Sequence, residues 1–174
     1  MRILALILLT AASLPAQLPP GLGLGYQGEL EHIGRQIVQL AEAVPEEKYS
    51  WRPAPGIMSV AEVYTHVYLG TYSLLAQAGH QQPADLVTKP KTKAEIVAGL
   101  KRALADVKTH YQATSPQEKQ RPLKLFGAVD SKVENVYLRI LAHLSEHMGQ
   151  SIAYARMNGI APPWSVPPGK KTGP

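Results

Sequence analysis

The sequence predicts an all-α fold, a four-helix bundle with long crossover loops. Three observations carry that expectation. Apolar residues recur at steps of three and four in four separate stretches, which marks one buried face of a helix. Three of those stretches open on Ser/Thr-x-x-Glu, where a hydroxyl caps the helix and the glutamate reaches back to the cap's N–H. No stretch shows the sustained alternation of a half-buried strand.

The first helix is expected from about Tyr26 to Val44, with Leu30, Ile33, Ile37, Leu40 and Val44 on one face. Pro45 stops it. The second starts at SVAE (59–62), presents Val60, Val63, Tyr64, Val67, Thr71, Leu74, Leu75 and Ala78, and closes at Gly79. The third starts at TKAE (92–95), with Val97, Leu100, Leu104, Val107 and Tyr111 as its face. SPQE (115–118) places Pro116 at a first helical position and predicts only a short turn before Pro122. The fourth helix is expected from SKVE (131–134) to Asn158-Gly159, burying Tyr137, Leu141, Leu144, Met148, Ile152 and Ala155. The linkers at 45–58, 79–91 and 114–130 are rich in Pro, Gly and polar residues. They exceed ordinary bundle loops, so connections cross over the bundle. Phe126 and Val129 are candidates to pack over one of its ends.

The chain of 174 residues suits one bundle domain, 22–165, between two different ends. Arg2, the apolar run Ile3–Leu9 and the small residues of TAASLPAQ have the layout of a secretory signal peptide over residues 1–17. The run is too short to cross a bilayer. Export to a periplasm or the medium is therefore expected, with no stable membrane span once the signal is removed. A flexible tail is expected at 166–174. Losing Arg2 takes Lys+Arg from 18 to 17 against 13 acids, so net charge falls from +5 to +4. The basic groups KPKTK (89–93) and Lys170-Lys171 carry no interleaved aromatics, which argues against a nucleic-acid partner. The chain has no cysteine, so thiolates are excluded as nucleophiles or ligands. Chemistry falls to histidines, acids and hydroxyls.

His143 and His147 stand four apart on the last helix, one above the other, and Gln150 and Tyr154 continue their stripe at the border of the core. Their spacing fits metal ligation and ordinary hydrogen bonding alike. His66 lies in a run, Val63–Ala84, that contains no Lys, Arg, Asp or Glu. A helix so apolar is expected to be largely buried, and a buried imidazole needs a partner. His32 and His110 point off the apolar faces and are expected in solvent, and His80 falls in a loop. HLSEH (143–147) also matches the inverted zinc-peptidase string, in which a glutamate acts as base. Glu146 projects about 100° from the adjacent His147, however, and Glu62 is explained by its capping box.

WRPAPGIMSVAEVYTHV (51–67), followed much later by HLSEHMGQSIAYARMNGIAPP (143–163), resembles the DinB/YfiT-like family of metal-dependent enzymes. The shared features are Trp51 and Pro53 before the second helix, a histidine on it, H-x-x-x-H-x-x-Q in the last helix, and Arg156, Gly159, Pro162 and Pro163. The likeness spans roughly residues 26–165. It implies a four-helix bundle and a divalent metal, zinc or nickel, held by His66, His143 and His147. Three histidines leave an open position, where the ion would lower the pKa of a water or activate a substrate thiol. Gln150 would stand behind a ligand or against the substrate. Relatives include thiol-dependent transferases and a mycothiol-dependent isomerase, largely cytoplasmic, and dimers are common among them. The expected function is that of an exported metal-dependent hydrolase or transferase acting on a small molecule, with a homodimer as the partner to look for. No catalytic residue is assigned. The alternatives are a non-catalytic metal-binding or stress-related bundle, and a helical interaction module without metal.

Overall fold

Four long helices form the body of the computed structural model, which describes residues 19–166. The expected signal peptide, and all of the expected tail except Val166, lie outside the described residues. Helices α1 (Gly25–Ala43), α2 (Val60–Gln77) and α3 (Lys93–Ala113) precede a single turn, α4 (Pro116–Lys119). A hairpin follows, β1 (Pro122–Leu125) and β2 (Val129–Lys132), leading into α5 (Val133–Met157).

Helix starts follow local chemistry. Ser59 Oγ accepts from the Glu62 N–H, and the Ser59 N–H donates to the Glu62 carboxylate at 2.6 Å. Thr92 and Glu95 repeat this reciprocal box at α3. Each such cap contributes about 1 kcal/mol by satisfying N–H groups the helix cannot. The end of α1 is closed from across the bundle, where the Lys93 ammonium donates to the Glu42 and Val44 carbonyls at 2.8 and 2.7 Å. A cation there also complements the helix dipole.

Packing runs as a ring: α1 against α5, α5 against α2, α2 against α3, and α3 against α1. Helices α1 and α2 thus sit diagonally, as do α3 and α5, so the linkers after α1 and α3 do cross the bundle. Ile37, Leu40, Leu75, Leu100, Ile140 and Leu144 fill the centre, each stabilising the fold by about 1.5–3 kcal/mol. Tyr64, Tyr68, Tyr72 and Tyr137 are fully buried with them. The phenols bring a polar atom inside, and partners meet it. Tyr68 donates to the Val87 carbonyl at 2.6 Å, and Tyr72 to Asp106 at 2.7 Å.

Three expectations are corrected. The hairpin pairs Leu123 with Ser131, so Ser131 is a strand residue and does not cap α5. Lys132 takes the cap position without a side-chain bond. Phe126 and Val129 occupy and follow the hairpin's tight turn, with Phe126 at φ 53°, and both are exposed rather than packed on a bundle end. His66 is exposed too. The uncharged run in α2 leaves His66, Ser73 and Ala76 exposed instead of burying them.

Candidate metal centre

Because α2 and α5 are neighbours, the second turn of α2 lies against the middle of α5. That juxtaposition brings His66 to His143 and His147, which are 77 residues and more away in sequence. The ring centroids are 5.0 Å apart for His66–His143, 4.8 Å for His66–His147 and 4.6 Å for His143–His147. The rings meet at 64–79°, so edges converge rather than faces. One nitrogen from each lies within 4.8 Å of the others, a grouping that can hold a metal ion. The Nε2 atoms of His66 and His143 are 3.0 Å apart. Two nitrogens each about 2.1 Å from a shared ion stand roughly 3.0–3.4 Å apart, so the spacing fits.

Gly70 makes the approach feasible. It lies on α2 one turn beyond His66, and a Cβ there would come within 2.8 Å of His143 Cε1. The missing side chain is the cradle for the imidazole. Glycine within a helix costs about 0.5–1 kcal/mol relative to alanine, so its presence in α2 calls for a packing reason of this kind.

The electrostatics favour bare nitrogens. Burial and the imidazoles of His147 and His66 pull His143 down to about 4. Burial, then His147, lowers His66. Both rings are therefore neutral at pH 7, the form that binds metal. His143 Nδ1 is buried without a hydrogen-bond partner. Behind His147, Nδ1 is 2.8 Å from Gln150 Oε1, Gln150 Nε2 donates to Tyr154 Oη at 3.0 Å, and Tyr154 donates to the Met58 carbonyl at 3.1 Å.

The acids stand apart from this centre. Glu146 pairs with Arg139 at 2.6 Å, and that bond holds its carboxyl below the usual range. Glu62 serves its box and Arg52. The inverted-peptidase reading of HLSEH therefore has no free base here.

The remaining histidines are less solvated than expected. His80 and His110, both half-buried, stack at 3.8 Å between centroids. His80 Nε2 lies 2.8 Å from Tyr137 Oη, which is 2.8 Å from Thr114 Oγ1. His32 sits 3.3 Å from the Arg35 guanidinium. Sequence reasoning missed the role of Gly70 and the His80–Tyr137 cluster. A glycine inside an otherwise regular helical pattern was the available signal for the first. The second joins the segment after α2 to α3 and α5 and has no local signature.

Comparison with known proteins agrees with the geometry. The model of the DinB superfamily matches residues 29–151, well over half of the chain and all three clustered histidines. Among curated proteins none matches. The crystal structure of a DinB-like protein from Bacillus cereus superposes with a TM-score of 0.71 at 16% identity, covering 81% of this chain and 95% of that one. A DinB-like protein from Bacillus subtilis superposes at 0.63 with 15% identity, covering 77% and 92%. At such identities the likeness speaks for the fold, and the family match speaks for descent: this chain belongs to the DinB superfamily.

Proposed function

We propose that His66, His143 and His147 bind a divalent ion, zinc or nickel, and that the protein is an exported metal-dependent hydrolase or transferase acting on a small molecule. The observation that carries this reading is the convergence of three imidazoles from two helices onto one point, with His66 on the exposed side. Three protein ligands are the number typical of catalytic zinc, where a further position stays open to substrate. An ion so held supplies Lewis-acid stabilisation of a developing negative charge. The chain contributes the neutral imidazoles and, at His66, a side that faces solvent. Export rests on the first seventeen residues, and the N-terminus of protein recovered from an extracytoplasmic fraction tests it.

A metal-free reading has one observation in its favour. At 3.0 Å, His66 and His143 can share a single proton between their Nε2 atoms, as in an ordinary interaction module. Elemental analysis of the purified protein separates the two. The metal reading expects near-stoichiometric zinc or nickel, lost in a His143→Ala/His147→Ala variant. A wild-type protein that neither takes up these ions nor melts higher with them overturns it. Catalysis is tested separately, by metal-dependent hydrolysis or group transfer that disappears in His66→Ala. Bound metal without turnover would leave a metal-binding bundle.

A further inference from the structure

One backbone carbonyl reaches the histidine cluster through a chain of hydrogen bonds with only one self-consistent direction. The Met58 carbonyl has no hydrogen and can only accept, and the Tyr154 hydroxyl donates to it at 3.1 Å. That spends the hydroxyl's single proton. Tyr154 Oη must then accept from its other neighbour, Gln150, 3.0 Å away. The neighbouring atom is therefore the amide nitrogen, which leaves Oε1 facing His147 Nδ1 at 2.8 Å. A carbonyl oxygen only accepts, so Nδ1 carries the hydrogen. A neutral imidazole has one N–H, and Nε2 is left with a bare lone pair.

From this we infer that Gln150 and Tyr154 are positioning residues that lock His147 in the Nδ1–H tautomer, anchored on the Met58 carbonyl, so that Nε2 is the metal-binding atom. The inference rests on the three-histidine reading of the site. The opposite orientation of Gln150 would point its NH₂ at Nδ1, force the hydrogen onto Nε2, and turn Tyr154 away from Met58. Residues 147, 150 and 154 follow one stripe of α5. Tyr154 itself is buried and is braced by Trp51, whose ring meets it edge-on at 5.4 Å and 80°. The Trp51 carbonyl in turn accepts from the Val60 N–H at 3.0 Å. The loop between α1 and α2 thereby sets the proton of a histidine on α5. Outer hydrogen bonds of this kind orient a ligand and raise its basicity.

The test uses the full mature protein, with zinc as the probe and three variants: Gln150→Leu, Gln150→Glu and Tyr154→Phe. Affinity is read by competition with a chromophoric chelator, and the His147 tautomer by ¹⁵N NMR of the metal-free protein. Loss of an outer partner typically lowers metal affinity about 10- to 100-fold, which is expected for Gln150→Leu. Tyr154→Phe keeps the ring but frees Gln150 to turn over, and a loss of about 10-fold is expected. Gln150→Glu keeps an acceptor at Nδ1 and should match or exceed wild-type affinity. Wild-type zinc binding in both Gln150→Leu and Tyr154→Phe overturns the inference, as does an Nε2–H tautomer in the metal-free protein. Absence of zinc binding in the wild type would instead sink the metal reading, while the tautomer still reports on the lock.

Discussion

Two clusters of histidine stand in this bundle, and both hang on hydrogen-bond chains that end at a backbone carbonyl. In the first, Met58 fixes Tyr154, Tyr154 fixes Gln150, and Gln150 takes His147 by Nδ1. In the second, Thr114 donates to the His110 carbonyl at 2.6 Å, so its oxygen accepts from Tyr137. Tyr137 then accepts from His80 Nε2. The logic is the same, and the nitrogen that is gripped differs. His147 keeps Nε2 bare toward its neighbours, whereas His80 has spent Nε2 on Tyr137. Ring geometry differs as well. The first cluster meets at steep angles, edge toward face, while His80 and His110 stack at 25°. A site is thus distinguished from a structural cluster by which nitrogen is left over and where it points, not by the number of histidines.

Gly70→Ala is the sharpest way to break that contrast. The added Cβ would press within 2.8 Å of His143 Cε1. The imidazole is half-buried and at the end of a side chain, so it can swing toward solvent. Folding tolerates the move and ligand geometry does not. Zinc affinity should fall by about 10- to 100-fold, as when a ligand loses its support. Stability of the metal-free protein should stay level or rise by up to about 1 kcal/mol from helix propensity. Unchanged zinc affinity would mean that the approach of α2 to His143 does not set the site.

Tyr137→Phe probes the other cluster. It removes the hydroxyl joining His80 to Thr114 while leaving the ring packed. The expected cost is about 1 kcal/mol, the net value of a typical hydrogen bond. For a chain of this size that lowers Tm by about 2–4 °C. Metal content should not change. A variant that lost metal would show the two clusters to be coupled through α5.

What could be read in advance follows the same division between local and distant. Helix α2 declares its start, face and end between Ser59 and Gly79, because capping and periodicity are local, and every residue expected on its apolar face is buried. His143 and His147 share a face by spacing alone. Their meeting with His66 depends on α2 and α5 being neighbours in the ring, which no local period encodes, and only the family resemblance supplied that link. The hairpin escaped notice because four-residue strands are too short to show alternation. SKVE satisfied the capping pattern, but pairing of Ser131 with Leu123 claimed the serine first. His66 departs from expectation because a helix without charges can still turn one side to solvent.

The smallest effect concerns acid. Burial first, then His110 and Arg121, hold His80 below the ordinary imidazole range, with Glu118 opposing. Tyr137 faces it as a hydrogen-bond partner. In the unfolded chain His80 titrates near about 6.5. Between that value and the lower folded one, the unfolded state binds more protons, so stability rises with pH. The contribution of His80 is therefore fully present above the unfolded value and is lost as pH falls through the folded one. Partial exposure to water keeps it small. His66 and His143 shift in the same direction, so the wild-type slope alone does not isolate it. The measurement is the difference between wild-type and His80→Gln unfolding free energies, both metal-free, from pH 7.5 to 5. His80→Gln should show the shallower loss. Parallel curves would mean that His80 is held no more neutral in the fold than in the open chain, and the His80–Tyr137 cluster would then be a matter of packing rather than proton control.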